Sequence, residues 1–463
     1  MTTPAQTGKS FDRASLALLD EALVALEAGF ANLSDAAPQI DPAPLRAALL
    51  ATAERLRDND PYHHPLYLGH MQKPPHPAAR LAYSLALWLN PNNHAFDGGR
   101  ASSLMEQEAV AEIAGMFGWT DCLGHLCSGG TLANFEALWI AREHDFAQHS
   151  GRAIAASAQA HYTHARLSGV LGVPFQSVPT DRFGRMDMQA LEDLLATGQI
   201  GTLVASLGTT GTGSVDPLDE IVALRARHAF RLHVDAAYGG YFTLADNLAP
   251  ATRRAFDAIG EADSIAIDPH KHGLQPYGCG CILFRDADVK RHYRHDSPYT
   301  YLDSDDPHLG EISLECSRPG AAAVALWTTQ QMLPLRPGGE FAQGLQASRD
   351  AALALHRALT EDDRFNSRFA PLFAPELDIV TWAIKAETAS AATQRARRLQ
   401  QAAKTHDLHL ALASFPRALL EVAHPVQHWD TDQITCLRTC VMKPEHREWM
   451  VEILLRLKVA ADE

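Results

Sequence analysis

Four short apolar runs, at residues 202–207, 231–234, 264–267 and 280–284, punctuate a region that otherwise carries helical spacing. Each is too short for a helix and mostly apolar, which reads as strands buried on both faces of a parallel sheet. Residues 219–228, between the first two runs, read as a crossover helix. Strands alternating with helices imply an α/β sheet domain. Ligands of such sheets gather beyond the carboxyl ends of the strands. Asp235, Thr209 and Lys271 each stand at or just past such an end.

The flanks read differently. Leu16, Leu19, Leu23 and Leu26, then Leu45, Leu49 and Leu50, give helical spacing over residues 12–57, and Asp41-Pro42 marks a helix start. Residues 61–77 are too rich in Pro and His for a regular element, and residues 78–89 return to helix. Pro337-Gly338-Gly339 breaks the chain again. Beyond it, strands at 377–382 and 435–442 alternate with helices at 390–406 and 445–457, a smaller C-terminal α+β unit. The expected division is therefore an N-terminal helical segment (1–100), a large α/β domain (101–335) and the small domain (336–463). A formal charge of −15 argues against nucleic-acid or anionic-membrane partners. The sequence shows no apolar run long enough to cross a membrane and no secretory h-region. Seven scattered cysteines fit a reduced, cytoplasmic protein.

An acid ending one strand and a lysine ending another is the pairing that pyridoxal 5'-phosphate (PLP) requires. The Lys271 amine would join the cofactor aldehyde, and Asp235 would face the pyridine nitrogen and keep it protonated. An apolar setting would lower the lysine's pKa. Ser128-Gly129-Gly130-Thr131 precedes a helical run, where backbone amides and the helix dipole can seat a phosphate. The hydroxyl of Ser128 or Thr131 could assist, and so could His270. The turn Gly208-Thr209-Thr210-Gly211 either closes a plain loop or sets a hydroxyl against the cofactor ring. Asp216 is expected to cap the following helix. His161 and His164 lack a nearby acid in sequence, so no metal site is expected.

These blocks resemble the group II PLP-dependent amino acid decarboxylases, which include glutamate, aromatic L-amino acid and archaeal tyrosine decarboxylases. The resemblance rests on His233-Val234-Asp235-Ala236-Ala237-Tyr238 and Pro269-His270-Lys271, with weaker support from the glycine-rich block, and spans about residues 61–444. It implies the type I PLP fold. It makes Lys271 the cofactor lysine and Asp235 the pyridinium partner, with His161 stacked on one ring face and Ala237 on the other. Gly130, Thr131 and His270 become phosphate ligands, and Thr210 lies near the ring. Leu104-Met105-Glu106-Gln107 matches a stretch near the dimer interface of relatives, implying a homodimer with shared sites.

Departures are visible. His272 stands where several members carry Trp or Met, and Asp268 where many carry Asn. Relatives protonate the product carbon from a mobile loop tyrosine, for which Tyr299 and Tyr301 are both candidates beside His161. Residues 64–76 and Asn92-Asn93-His94 match regions that in relatives line the substrate pocket, partly across the dimer interface, making Asn93 and His94 substrate-binding candidates. Arg438 matches an arginine that meets a substrate carboxylate in some members, the alternative being that it only secures the small domain. The implied activity is decarboxylation of an L-amino acid, with a lean toward a polar or acidic substrate such as aspartate or glutamate. The alternatives are an aldehyde synthase or carbon–carbon lyase on the same fold, or a PLP-binding homologue without catalysis.

Overall fold

The computed structural model describes residues 11–34, 40–148, 151–293 and 309–463. Its centre is a seven-stranded sheet: β1 (Leu123–Cys127), β2 (Ala153–Ser157), β3 (Phe175–Val178), β4 (Ile200–Ser206), β5 (Arg231–Asp235), β6 (Ser264–Ile267) and β7 (Gly280–Phe284). The spatial order is β1-β7-β6-β5-β4-β2-β3. All four apolar runs are strands. β4, β6 and β7 are buried along their whole length because helices cover both faces.

The fourth run does not lie parallel as expected. β7 runs antiparallel to both β6 and β1. The link from Ile267 to Gly280 carries Pro269, Gly273, Pro276 and Gly278 and forms no crossover helix, so the chain turns back beside its own strand. That tight return holds Lys271. Gly273 is needed in it, since a Cβ there would lie 2.5 Å from both the Pro269 Cα and the Tyr241 hydroxyl.

Before the sheet come α1 (Leu16–Ala28), α2 (Pro42–Leu56), α3 (Pro77–Ala86) and α4 (Phe96–Met116). Asp41 caps α2 as expected, its carboxylate accepting from the Ala43 amide at 3.0 Å. α5 (Gly130–Gln148) follows β1. Asp216 is not a helix cap, in contrast to the expectation. Pro217 takes the N-cap position of a helix spanning only Leu218–Leu224. The Asp216 carboxylate turns inward and accepts from the amides of Met186 (2.7 Å) and Ser206 (2.8 Å), tying two loops together.

Beyond the helix Glu340–Glu361 lies a four-stranded antiparallel sheet in the order β11-β13-β9-β8. Its strands are β8 (Phe369–Pro371), β9 (Ile379–Ile384), β11 (Ala411–Pro416) and β13 (Gln433–Cys440). β10 (Ala386–Thr388) and β12 (Val426–His428) pair separately. Trp382 and Leu437, fully buried, pack this sheet against the helices Glu340–Glu361, Ala389–Thr405 and His446–Asp462. No helix among the described residues is long and apolar enough to cross a membrane.

Candidate active site

A cleft of about 310 Å³ opens at the carboxyl ends of the central strands. Gly130, Thr131, His161, Thr210, Asp235, Ala237, His270 and Lys271 all line it. They come from five chain segments, and the sheet brings them together because each follows a strand end or opens a helix.

Asp235 ends β5 and is nearly sealed from solvent, with 9% of its surface exposed. Its Oδ1 accepts from the Ala237 amide at 3.1 Å. Its Oδ2 lies 2.8 Å from His164 Nε2. Burial alone would raise the carboxylate's pKa, but the hydrogen bond from His164, with Lys271 nearby, outweighs it and holds the group well below the usual carboxylate range. His164 is thus a functional residue that sequence reasoning missed. It was read only as a weak metal ligand, because Asp235 is 71 positions away in the chain. Among the described residues no group of three metal-ligating side chains exists.

Lys271 Nζ lies 2.9 Å from Asp268 Oδ2. The expected lowering of its pKa is overturned. Burial does pull the ammonium's pKa down, but the Asp268 carboxylate more than compensates, and the net displacement is upward. Asp268 is therefore the lysine's ion partner. It also touches the glycine turn: a Cβ on Gly130 would fall 2.7 Å from Asp268 Oδ2. His270 Nδ1 contacts the Cys279 carbonyl at 2.8 Å, and burial lowers the imidazole's pKa. Burial likewise lowers that of His161, favouring a neutral ring. In the turn after β4, Thr209, Thr212 and Ser214 bond one another at 2.9 and 2.7 Å. Thr210, outside that knot, faces the cleft.

The remaining candidates lie elsewhere. Asn93 does not line the cleft. It is fully buried, its Nδ2 donating to Glu106 Oε2 at 2.7 Å and to the Ser102 carbonyl at 3.2 Å. Glu106 also receives Arg318 Nη1 at 2.6 Å and the Leu126 amide at 2.9 Å, so this asparagine completes a packed ion network within the chain. His94 also stands outside the cleft, its Nδ1 3.1 Å from the Cys316 carbonyl, because Gly310 and Cys316 fold over it. Tyr299 and Tyr301 lie outside the described residues.

Arg438 is absent from the cleft lining but close to its wall. On β13 it pairs with Thr381 of β9 and shares that residue's sheet face. Thr381 Oγ1 donates to the Gly211 carbonyl at 3.3 Å, next to Thr210, so this face looks onto the cofactor-domain turn. Arg438 is 5% exposed, and its Nε and Nη2 have no hydrogen-bond partner among the described residues.

These residues fit PLP. The amides of Gly130 and Thr131 stand in the first turn of α5, where no intrahelical acceptor exists, and thus suit a phosphate. Two buried oxygens at the cleft, Ser206 Oγ and Asp268 Oδ1, lack hydrogen-bond partners among the described residues. An amine and a carboxylate held at separate strand ends complete what the cofactor needs at its aldehyde and ring nitrogen.

The comparisons agree. The model of the pyridoxal-dependent decarboxylase conserved domain matches residues 79–385. The L-tyrosine decarboxylase of Enterococcus faecium is 30% identical, the match covering 69% of each chain. The aspartate 1-decarboxylase of Aliivibrio fischeri is 31% identical over 60% of this chain, which spans only 57% of that relative's length. The crystal structure of mouse CSAD superposes with a TM-score of 0.73 at 22% identity, covering 96% of this chain and 99% of that one, a likeness of fold. Strand order, cleft and matched domain lead to one conclusion: the chain belongs to the pyridoxal-dependent decarboxylase family, with the type I fold and PLP as cofactor.

Proposed function

We propose that this amino acid decarboxylase acts on an L-amino acid with a polar or acidic side chain, such as aspartate or glutamate, releasing CO2 and the amine. The observation that carries the substrate reading is Arg438, a buried guanidinium without an ion partner among the described residues, on the sheet face that meets the turn bearing Thr210. An unpaired buried cation is costly, and a substrate carboxylate would satisfy it.

PLP, when bound, supplies an electron sink for the pair left by the broken Cα–carboxylate bond. Lys271 would anchor it, and Asp235, steadied by His164, would keep a proton on the ring nitrogen. Gly130, Thr131 and His270 would hold the phosphate, and His161, Ala237 and Thr210 would pack against the ring. The sheet fixes these groups before substrate arrives, so their charges need no reorganisation during the reaction. Tyr299, Tyr301 or His161 returns a proton to Cα.

A homodimer with shared sites fits the N-terminal helices. Every residue of α2 is exposed, including Leu45, Leu49, Leu50 and Leu56, as are Leu16 and Leu18 of α1. Such an apolar surface asks for a partner, and a second copy is the reading we adopt. The seven cysteines are all free thiols, which suits the cytoplasm.

The test is an amine-product screen of the PLP-loaded protein over the common amino acids plus 2,4-diaminobutyrate and ornithine. Aspartate or glutamate should give the highest kcat/KM, and Arg438→Met should raise KM for that substrate at least about tenfold. Preference for an aromatic amino acid, with an Arg438→Met variant of unchanged KM, would overturn the assignment.

A further inference from the structure

A second cavity, of about 560 Å³, lies behind the cofactor lysine. The N-terminal segment, the start of the helix Glu340–Glu361 and the turn after β13 enclose it, and His272, the residue after Lys271, forms part of its wall. His272 is fixed from the small domain, its Nε2 3.2 Å from Asp378 Oδ2, while the other Asp378 oxygen accepts from the Tyr238 hydroxyl at 2.6 Å.

Two lysines face this cavity. Lys443 is 3% exposed, and its Nζ donates to the Tyr67 carbonyl at 2.7 Å. Lys73 keeps part of its surface open, and among the described residues its Nζ reaches only the Met442 carbonyl, at 3.4 Å. Neither ammonium meets a carboxylate at ion-pair distance among the described residues. Burial brings Lys73 down to about 8 and Lys443 to about 7, outweighing the pull of Asp378 and Glu445 on Lys73 and of Glu445 on Lys443, to which Lys73 adds a weaker repulsion. The other charged or titratable groups lining the space are His63, His76, His272 and Arg447 against Glu340 and Glu445, and the buried Asp378 and His446 stand behind them. Burial lowers the pKa of His63, His76 and His272, so the charged groups lining the space are Lys73, Lys443 and Arg447 against Glu340 and Glu445, and among the described residues neither lysine has an ion partner.

We propose that this cavity is a second ligand site, taking a small oxyanion, phosphate or carboxylate, between Lys73 and Lys443. An anion there would supply the missing partner to both amines. It would also draw protons onto them, since an opposite charge favours the ammonium form. The sign of the linkage follows. Binding raises both lysine pKa values, so affinity is greatest below about pH 7 and falls as pH climbs through the liganded values.

The experiment titrates the PLP-loaded protein calorimetrically with inorganic phosphate and, separately, with succinate, at about pH 6.5 and about pH 8.5. Loaded protein is used so that the cofactor fills its own phosphate seat. Saturable binding of either anion, at least roughly tenfold weaker at the higher pH and lost in both Lys73→Met and Lys443→Met, supports the site. Phosphate alone, succinate alone or both identifies the source of the oxyanion. Absence of saturable binding for both overturns the proposal, as does binding that survives both substitutions. If Lys443→Met does not fold, Lys73→Met decides alone, since its side chain is less enclosed. The visible cofactor band of each variant reports separately on Lys271, so loss of anion binding with that band intact leaves the decarboxylase assignment untouched.

Discussion

Replacing His164 with alanine isolates one contact behind the cofactor site. The imidazole is fully buried, and its Nε2 meets Asp235 Oδ2 at 2.8 Å. Alanine would leave a buried carboxylate with only the Ala237 amide at 3.1 Å and Lys271 nearby. A buried hydrogen bond to an ionised group is worth roughly 2 kcal/mol. Expressed in the rate, that is about thirtyfold in kcat if Asp235 must be anionic and correctly aimed. The same change releases part of what holds the Asp235 pKa down, while the burial that pushes it up remains. A carboxylate with a depressed folded pKa contributes stability at neutral pH that is lost on acidification. In the variant the pKa is held down less, so this contribution is smaller and is exhausted at a higher pH, and the acid limb of activity moves up with it. The assay is kcat against pH for wild type, His164→Ala and His164→Gln, whose side-chain amide can still donate. Most of the activity should return in the glutamine variant. A His164→Ala variant within about twofold of wild type, with its acid limb in place, would refute the claim that His164 sets the state of Asp235.

Lys271→Ala should abolish the visible band of the lysine-bound cofactor, and an unchanged spectrum would assign the cofactor to another lysine. Asp235→Ala should cut turnover by about two to three orders of magnitude, since it removes the charge facing the ring nitrogen; near-native kcat would remove that role. Asp216 is buried and raised to about 7, so its contribution to stability is present below the unfolded value near 4 and is lost as pH rises through 7. Asp216→Asn should therefore flatten denaturant-measured stability over that range, and a variant that keeps the wild-type slope would show that Asp216 does not titrate there. Gly273→Ala should destabilise the lysine turn by at least about 2 kcal/mol, measured by urea unfolding, because the added methyl collides with backbone and the Tyr241 hydroxyl.

Local chemistry was legible in the sequence wherever one segment carried it alone. The Asp and Lys at strand ends, the glycines opening α5 and the threonines after β4 could be placed because a strand's length and a turn's composition are short-range properties. The helical spacing of the first fifty residues was equally local, as was the Asp41 cap. Contacts between distant segments could not be placed this way. His164 and Asp235, or His272 and Asp378, meet only because the sheet order sets their segments side by side. The raised lysine pKa failed as an expectation for the same reason: burial was foreseeable, but the direction in which the Asp268 side chain turns was not. Asn93 looked like a polar pocket residue until Glu106 and Arg318 closed around it. Residue type and spacing pointed to the cofactor this chain binds and to Lys271 and Asp235 as the lysine and acid proposed to serve it. The packing of the sheet, whose register no short window of sequence encodes, decided which neighbours charge and orient those groups.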